Sequence, residues 1–458
     1  MFNNLVNNLN NTIWSWFFLP GLLLCALLLS FRCSGLQLKH FGLCMRGSIG
    51  KAFSRRENRT GGVSSFQAAS TALASTVGTG NIVGTAQALC MGGPGAVFWM
   101  WAVSFLGMIV KYAEIALSIS FRFKNKPGSP MYYIRAAFGR YGRAAAAAYA
   151  FFAALAGLGM GNMTQVNSAA LSLSDAARSI YSSEAVQEER LRLVFGLVLA
   201  VLCLVILSGG AKSIGRIASL LVPFMSTSFI LLSLGVLCCH SHRLPAILVY
   251  IIKEAFNPRA ALGASGGLAC SAALSWGLRR SAFSNEAGLG SAAIAHGFSN
   301  ADSPVEEGFW GVFEVFTDTT LLCTLTALVI LCSGVSLPYG SSPGVELLCS
   351  AFSTVYGSRL STVFVALCMV FLAFSSILGW ALYGSSCWQY LFGRKASVVY
   401  RLIFSAAVVT GSTSSPELVW SLSDLFNALM SIPNLLAVFM LSGRVSSMTK
   451  DYLRNLIS

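Results

Sequence analysis

Charge is what this chain has least of. Asp, Glu, Lys and Arg make up 10% of its 458 residues, where a soluble domain carries about 25%. A water-facing surface of this size needs more charge than that, so a soluble globular protein is excluded. Acid is scarcer still, with 17 Asp plus Glu against 31 Lys plus Arg, and His occurs only four times. With so few His and no Cys-x-x-Cys pair, no structural metal site is expected. Most of the 13 Cys lie inside apolar runs (Cys25, Cys203, Cys270, Cys323, Cys368) and read as small buried hydrophobes, as does the adjacent pair Cys238–Cys239. No cluster of His, Asp and Glu and no nucleophile beside a base is visible, which argues against a membrane-embedded enzyme. Nucleic-acid binding is not expected despite the net charge of +14, because no basic stripe is interleaved with aromatics. Residues 1–31 hold no Lys or Arg, and no small-residue cleavage site follows Ile13–Phe31. That run reads as a retained first helix rather than a signal peptide.

What the chain has in abundance is apolar length. Hydrophobic residues are 55% of it and the mean hydropathy is +0.68. A bilayer crossing takes about 20 apolar residues, and lipid offers backbone groups no partners, so helices are the default. Eleven spans are predicted, near 13–31, 67–90, 96–121, 143–173, 193–209, 217–239, 263–297, 308–333, 359–391, 397–411 and 418–442. The loop 32–66 carries Arg32, Lys39, Arg46, Lys51, Arg55, Arg56 and Arg59 against Glu57, and the loop near 122–143 carries Arg122, Lys124, Lys126, Arg135, Arg140 and Arg143 with no acid. Both are expected in the cytoplasm. Lys212, Arg216, Arg394, Lys395 and the tail with Arg444, Lys450 and Arg454 fall on the same side, leaving the N-terminus outside and the C-terminus inside. The mixed segment 178–192 suits an outer loop. Segment 245–258 is apolar but too short to span, and reads as an interfacial helix on the outer face.

Two spans are interrupted. One reads Ala72-Leu-Ala-Ser-Thr-Val-Gly-Thr-Gly-Asn-Ile-Val-Gly84, the other Ser281-Ala-Phe-Ser-Asn-Glu-Ala-Gly-Leu-Gly-Ser291. Each opens a group of five spans, and five is odd, so the two groups point opposite ways across the bilayer. Paired Gly-interrupted spans are the sequence mark of a transporter site. The expected units are 1–66 (first helix and basic loop), 67–239 (first repeat), 240–262 (outer segment), 263–442 (second repeat) and 443–458 (tail). Glycine lets a helix unwind. The freed amides then suit a carboxylate and the freed carbonyls a dehydrated Na⁺. Thr79 and Asn81 add side-chain oxygens to the first break. Close helix packing is the alternative use of such glycines, and it is the reading favoured for Gly84 and Gly92–Gly93.

Polar residues inside apolar spans are costly and are candidates for function. Glu286 reads as a cation ligand, a protonated donor, or a partner of Arg279 or Arg280. Lys111 and Glu114, spaced i, i+3, are expected to pair on one helix face. Glu314 and Asp318, spaced i, i+4, read equally as a proton relay or as bundle glue. Gln165 and Asn167 suit interhelical hydrogen bonding. Ser375 and Ser376 with Trp380 offer hydroxyl ligands and an aromatic wall.

Several stretches resemble the alanine/glycine:cation symporters, in the amino acid–polyamine–organocation superfamily. They are Phe66-Gln67 through Thr79-Gly-Asn-Ile82, Gly92-Gly-Pro-Gly-Ala-Val-Phe-Trp-Met-Trp101, Lys111-Tyr-Ala-Glu114, Pro130-Met-Tyr-Tyr-Ile134, Phe283-Ser-Asn-Glu-Ala-Gly288, Ile294-Ala-His296 and Ile377-Leu-Gly-Trp380. The likeness runs over about residues 14–445. It implies an all-α, leucine-transporter-like fold of eleven transmembrane helices: one extra N-terminal helix, then two inverted five-helix repeats. It implies sodium-coupled (in some members proton-coupled) uptake of alanine or glycine through a bacterial inner membrane, with no cofactor. Carried over, the substrate carboxylate meets amides near Thr79, Gly80 and Asn81, and Gln165, Phe283, Ser284 and Trp380 line the pocket. Sodium sits between the carbonyls of Ala74 and Val77 and the hydroxyls of Ser375 and Ser376. The chain departs from the pattern at Pro127-Gly-Ser129 and Arg280-Ser-Ala282. A channel is the remaining alternative, and two buried breaks favour occlusion over an open pore.

Overall fold

The computed structural model describes residues 2–52, 62–123, 126–181, 187–257, 272–414 and 416–457. Arg55, Arg56, Glu57, Arg59, Lys124, Glu184 and residues 258–271, which include Cys270 and the start of the seventh expected span, lie outside them. Among the described residues the chain is helical throughout, with no strand and one isolated bridge between Val63 and Ser299.

Eight helical stretches are long and apolar enough to cross a bilayer: Gly95–Ser120, Gly139–Ile180, Glu188–Ser208, Gly210–Cys239, Pro304–Ser333, Ser358–Phe392, Ala396–Thr413 and Trp420–Met440. Each coincides with an expected span. The other three expected spans are a shorter apolar helix, Trp16–Arg32, and the two interrupted segments, whose helical pieces among the described residues are each too short to cross alone. The chain is thus a multi-pass membrane protein. Its outer helices carry apolar belts that water would penalise and hydrocarbon accepts. Val205 on Glu188–Ser208 is 65% exposed and Leu220 on Gly210–Cys239 is 72% exposed. One expectation needs correcting. The segment 32–66 is not simply a loop, because Leu36–Lys39 and Phe41–Ala52 are helical, and Phe41–Ala52 packs on the helix that starts at Pro304.

The site is held by a few of these elements. α1 (Ser65–Thr76) starts at a capping box in which the Ser64 hydroxyl accepts from the Gln67 amide and the Gln67 side chain accepts from the Ser64 amide, both at 3.2 Å. α2 (Val83–Gly92) resumes the helix after the break. α3 (Gly95–Ser120) is the most enclosed of the long helices. α4 (Thr164–Ile180) follows a π-helical turn at Gly159–Met163. α5 (Ala272–Asn285) and α6 (Ser291–Gly297) form the second broken segment. α7 (Pro304–Val315) leads into a π-helical stretch, Phe316–Cys323. α8 (Ser358–Phe392) and α9 (Pro416–Met440) complete the set. α3 packs against α5, α6 and α7, and α8 packs against α1 and α4.

Small residues let these backbones approach. A Cβ at Gly297 would overlap the carbonyl of Gly128, whose amide donates to the Gly297 carbonyl at 2.8 Å. Both partners are backbone, so neither can rotate away. Gly297→Ala is expected to cost about 1–3 kcal/mol by overpacking. Gly50→Ala, with open space around it, should leave thermal unfolding of the purified protein unchanged or raise its midpoint. Equal midpoints for the two variants would show that the Gly297 contact is not rigid.

Candidate functional site

The first break follows from its glycines. α1 ends at Thr76, Val77 turns away (ψ 86°), Gly78 is extended, and Thr79–Asn81 makes one 3₁₀ turn before α2 begins. A Cβ on Gly78 would come 2.7 Å from Ser376 Oγ and 2.9 Å from Gln165 Oε1, so a larger residue would push both side chains off the break. The freed amides are captured at once. The Gly78 amide donates to Asn81 Oδ1 at 3.0 Å, and the Thr79 amide donates to Gln165 Oε1 at 3.1 Å. The π-helical turn before α4 helps aim that Gln: its Met160 carbonyl accepts from Gln165 Nε2 at 3.1 Å and from Thr164 Oγ1 at 2.7 Å. Thr79 Oγ1 is buried and has no partner.

The second break is more strained and more fully bound. Glu286 takes φ 56°, rare for a residue other than glycine, and Gly288 and Gly290 take φ 91° and 71°. Its freed groups meet fixed partners. Lys111 Nζ donates to the Asn285 carbonyl at 3.0 Å. Asn434 Nδ2 donates to the Gly288 carbonyl at 2.8 Å, Tyr149 to the Leu289 carbonyl at 3.0 Å, and the Gly290 amide to Glu114 Oε1 at 3.1 Å. Tyr133 in turn donates to Asn434 Oδ1.

One acid ties the two breaks together. Asp318 lies in the π-helical stretch, with its side chain and its own carbonyl turned to Asn81. Asn81 Nδ2 reaches Asp318 Oδ1 at 2.7 Å and the Asp318 carbonyl at 3.1 Å. Ser284 and Thr319 donate to Asp318 Oδ2 at 2.6 and 2.8 Å. Asn81 and Ser284, expected to line the pocket, therefore meet on a third residue.

The other expected positions divide. Phe283 lies over Gly80, where an added Cβ would touch the ring at 3.5 Å, and stacks on Trp420 with centroids 5.5 Å apart. Trp380 is fully buried and donates from Nε1 to Glu286 Oε1 at 3.1 Å. Ser376 Oγ donates to the Ala74 carbonyl at 2.9 Å, so those two expected sodium ligands are adjacent. Ser375 instead donates to the Leu372 carbonyl of its own helix at 2.9 Å, as paired serines in helices often do. Val77 faces a narrow, mostly apolar gap lined by Met225, Phe229 and Leu372.

One expected pair, Lys111 with Glu114, is not formed, and two of the alternatives weighed for other acids fall away. Glu286 does not partner Arg279 or Arg280; it accepts from Ser291 Oγ at 2.5 Å and from Trp380. Lys111 and Glu114 do not pair. Lys111 turns to Asn285 and, at 3.2 Å, to Glu314, while Glu114 serves Gly290 and Asn434. Glu314 and Asp318 do not form one relay, because Glu314 faces Lys111 and His296 whereas Asp318 faces the first break. His296 bridges Glu307 and Glu314 at 2.7 and 2.6 Å, all three side chains buried. Glu307 and Asn434 stand outside the set expected from sequence, and His296 entered it only within a motif. The apolar surroundings of Asn434 were a signal that could have raised it; Glu307, beside Glu306 in the first turn of a helix, carries none.

The whole chain, residues 1–458, matches the profile of the Sodium:alanine symporter family. It is 37% identical to a sodium/alanine symporter, AgcS, of Methanococcus maripaludis, over 98% of this chain and 97% of that one. It is 34% identical to a probable sodium/glutamine symporter, GlnT, of Bacillus subtilis, over 98% and 91%. A putative sodium/proton-dependent alanine carrier protein of the same organism, YrbD, is 33% identical over 98% and 92%. These relatives are transporters, not enzymes.

Removing Lys111 leaves Glu314 and the Asn285 carbonyl without their cation. Lys111→Met is expected to cost about 3–5 kcal/mol, as for a broken buried pair, and Lys111→Met/Glu314→Gln to recover part of it. A double-mutant cycle on thermal unfolding reads the coupling; strictly additive losses would mean that the two groups do not interact.

Proposed function

This chain belongs to the sodium:alanine symporter family, and we propose that it carries a small neutral amino acid, alanine or glycine, inward across the bacterial inner membrane together with Na⁺. The observation that carries this reading is the pair of broken helices facing each other deep in the bundle. In this reading the substrate carboxylate meets the amides around Thr79, Gly80 and Asn81, displacing Gln165 from the Thr79 amide. Thr79 Oγ1, buried and unpartnered, is a further contact for it. Phe283, Ser284 and Trp380 bound the side chain. Sodium replaces the hydrogen bond between Ser376 Oγ and the Ala74 carbonyl, with the Val77 carbonyl and Ser375 as the remaining candidate ligands and Glu286 as a coupling or structural group.

Eleven spans arranged as one helix plus two inverted sets of five, with the N-terminus outside and the C-terminus cytoplasmic, complete the proposal. The two sets then rock about the fixed site, giving alternating access. Sodium that orders the first break raises substrate affinity, and substrate raises sodium affinity by the same factor. Proton coupling is the second reading. It is favoured by Asp318, a buried acid that touches both breaks, and by the sodium/proton description of one relative.

Radiolabelled alanine uptake into proteoliposomes tests these points. Asn81→Ala and Gly80→Leu should abolish uptake while leaving membrane insertion intact; wild-type-like uptake by both would remove the proposed site. Choline in place of sodium at fixed pH should stop uptake, and persistent uptake would favour protons. Ser376→Ala should raise the sodium concentration for half-maximal uptake about tenfold, the loss of one charge-assisted contact of about 1.4 kcal/mol. An unchanged value would take Ser376 out of the ion's shell.

A further inference from the structure

His296 stands between two carboxylates. Its Nδ1 lies 2.7 Å from Glu307 Oε1 and its Nε2 lies 2.6 Å from Glu314 Oε1. All three side chains are buried. Contacts this short between a ring nitrogen and an oxygen are hydrogen bonds, and each needs a hydrogen. A neutral imidazole has one N–H, and an ionised carboxylate only accepts. Two bonds and one hydrogen do not balance, so the triad holds one proton beyond the neutral ring. Placed on the ring, that proton lets both nitrogens donate and leaves both carboxylates as acceptors.

The surrounding charges agree with that count. From α3, Lys111 Nζ lies 3.2 Å from Glu314 Oε2, while Glu114 turns away to Gly290 and Asn434. Arg122, just past the end of α3, acts on both Glu307 and Asp302. α1 brings no ionisable residue, and α8 brings Tyr383, which feels the Glu314 charge. Helix Phe41–Ala52, packed on α7, carries Cys44, Arg46 and Lys51, and the helix Pro130–Ala137 carries an exposed Arg135. From the tail helix Ser442–Ile457, which also carries Arg444, Lys450, Asp451 and Arg454, Tyr452 donates to Glu306 at 3.0 Å. With the ring protonated, Lys111 and His296 balance Glu307 and Glu314. Without that proton two buried carboxylates face one buried cation, and Arg122 is shared with Asp302. An uncompensated buried charge is strongly destabilising.

The triad also joins two elements. His296 lies at the end of α6 and Glu307 in the first turn of α7. α6 begins directly after the second break, at Ser291, whose hydroxyl holds Glu286. In the orientation proposed above from the loop charges, the joined ends face the cytoplasm.

We propose that His296, Glu307 and Glu314 form a proton-binding site whose single resident proton fastens α6 to α7 and exchanges with the cytoplasm. When the proton leaves, the ring can donate to only one carboxylate. α6 then loosens from α7 at its inner end and takes the frame of the second break with it. The proton is a regulator rather than cargo, and uptake requires it bound. The folded protein binds one proton that the unfolded chain releases, so stability and uptake hold at lower pH and fall as pH rises through release. The proton count rests on the triad alone; its effect on uptake rests on the proposed amino-acid transport.

Glu307→Gln separates this site from mere packing. Its side-chain amide can donate to the ring, so a neutral imidazole then satisfies both neighbours without the extra proton. Alanine uptake at saturating sodium, with the lumenal pH varied, and thermal unfolding are followed against pH for both proteins. Wild-type uptake should fall about tenfold per pH unit once the proton leaves, the slope of a single proton, and the unfolding midpoint should fall with it. Glu307→Gln should stay flat over the same range. Nitrogen NMR reads the proton without any change in the triad. With His40, His240 and His242 replaced by Gln, His296 is the only histidine left, and both its ring nitrogens should be protonated at the pH of greatest stability. Adding Glu307→Gln should leave one of them bare at that pH. A bare ring nitrogen with Glu307 in place, or one pH profile of unfolding shared by wild type and Glu307→Gln, would overturn the proton site. Absence of alanine uptake at every pH, with the NMR and unfolding results as expected, would remove the transport reading and leave the proton site standing.

Discussion

A backbone amide or carbonyl in hydrocarbon has no water to turn to, and leaving it unpaired costs several kcal/mol. This constraint organises the interior of the protein. Breaking two helices at depth exposes a set of such groups, and the buried polar residues of the chain are their partners. Lys111, Glu114, Tyr149 and Asn434 attend the second break, and Gln165 and Asn81 the first. Residues as far apart as Glu114 and Asn434, separated by 320 positions yet hydrogen-bonded to each other, belong to one device. Each supplies a donor or acceptor that water would supply elsewhere.

The two breaks are not equivalent. The second is held by side chains from three other elements, and one of them, Lys111, is anchored in turn by Glu314, which His296 links to Glu307. Two of its groups, the Asn285 carbonyl and the Gly290 amide, are held by charged side chains, Lys111 and Glu114, so this break is the more tightly framed of the two. The first is held by amide side chains, Asn81 and Gln165, which can be exchanged for a ligand at modest cost because they are neutral. In the transport reading proposed above, ligand response belongs at the first break. Asp318 links the two breaks, since Asn81 and Ser284, on opposite broken helices, both donate to its carboxylate.

The breaks themselves were legible because Gly78, Gly288 and Gly290 stand where an apolar helix has no reason to hold glycine. The long spans were legible from apolar length. Partner choice was not. Lys111 and Glu114 have the spacing of a helix pair, but in a core helix surrounded on all sides the stronger attraction comes from neighbours, here Asn285 and Glu314 for the one, Gly290 and Asn434 for the other. Glu314 and Asp318 look like i, i+4 neighbours, yet the π-helical winding that begins at Phe316 rotates Asp318 away from Glu314 and toward Asn81. A change of winding leaves no mark in apolar periodicity.

The resident cation at the second break clarifies what an exchangeable one does at the first. Lys111 offers its ammonium to the carbonyl at the end of α5, where the helix dipole is negative, and a protein-borne charge there never leaves. At the end of α1 the chemistry is the same, a helix C-terminus with carbonyls near Ala74 and Val77, but the group that meets it is the neutral hydroxyl of Ser376. A hydroxyl satisfies one carbonyl and leaves the dipole uncompensated. A diffusible cation of small radius would satisfy both, and would be released when the helix end moves. In the proposed sodium-coupled reading, this asymmetry between a covalently held positive charge and a replaceable hydroxyl would let one break serve as scaffold while the other answers to ion concentration.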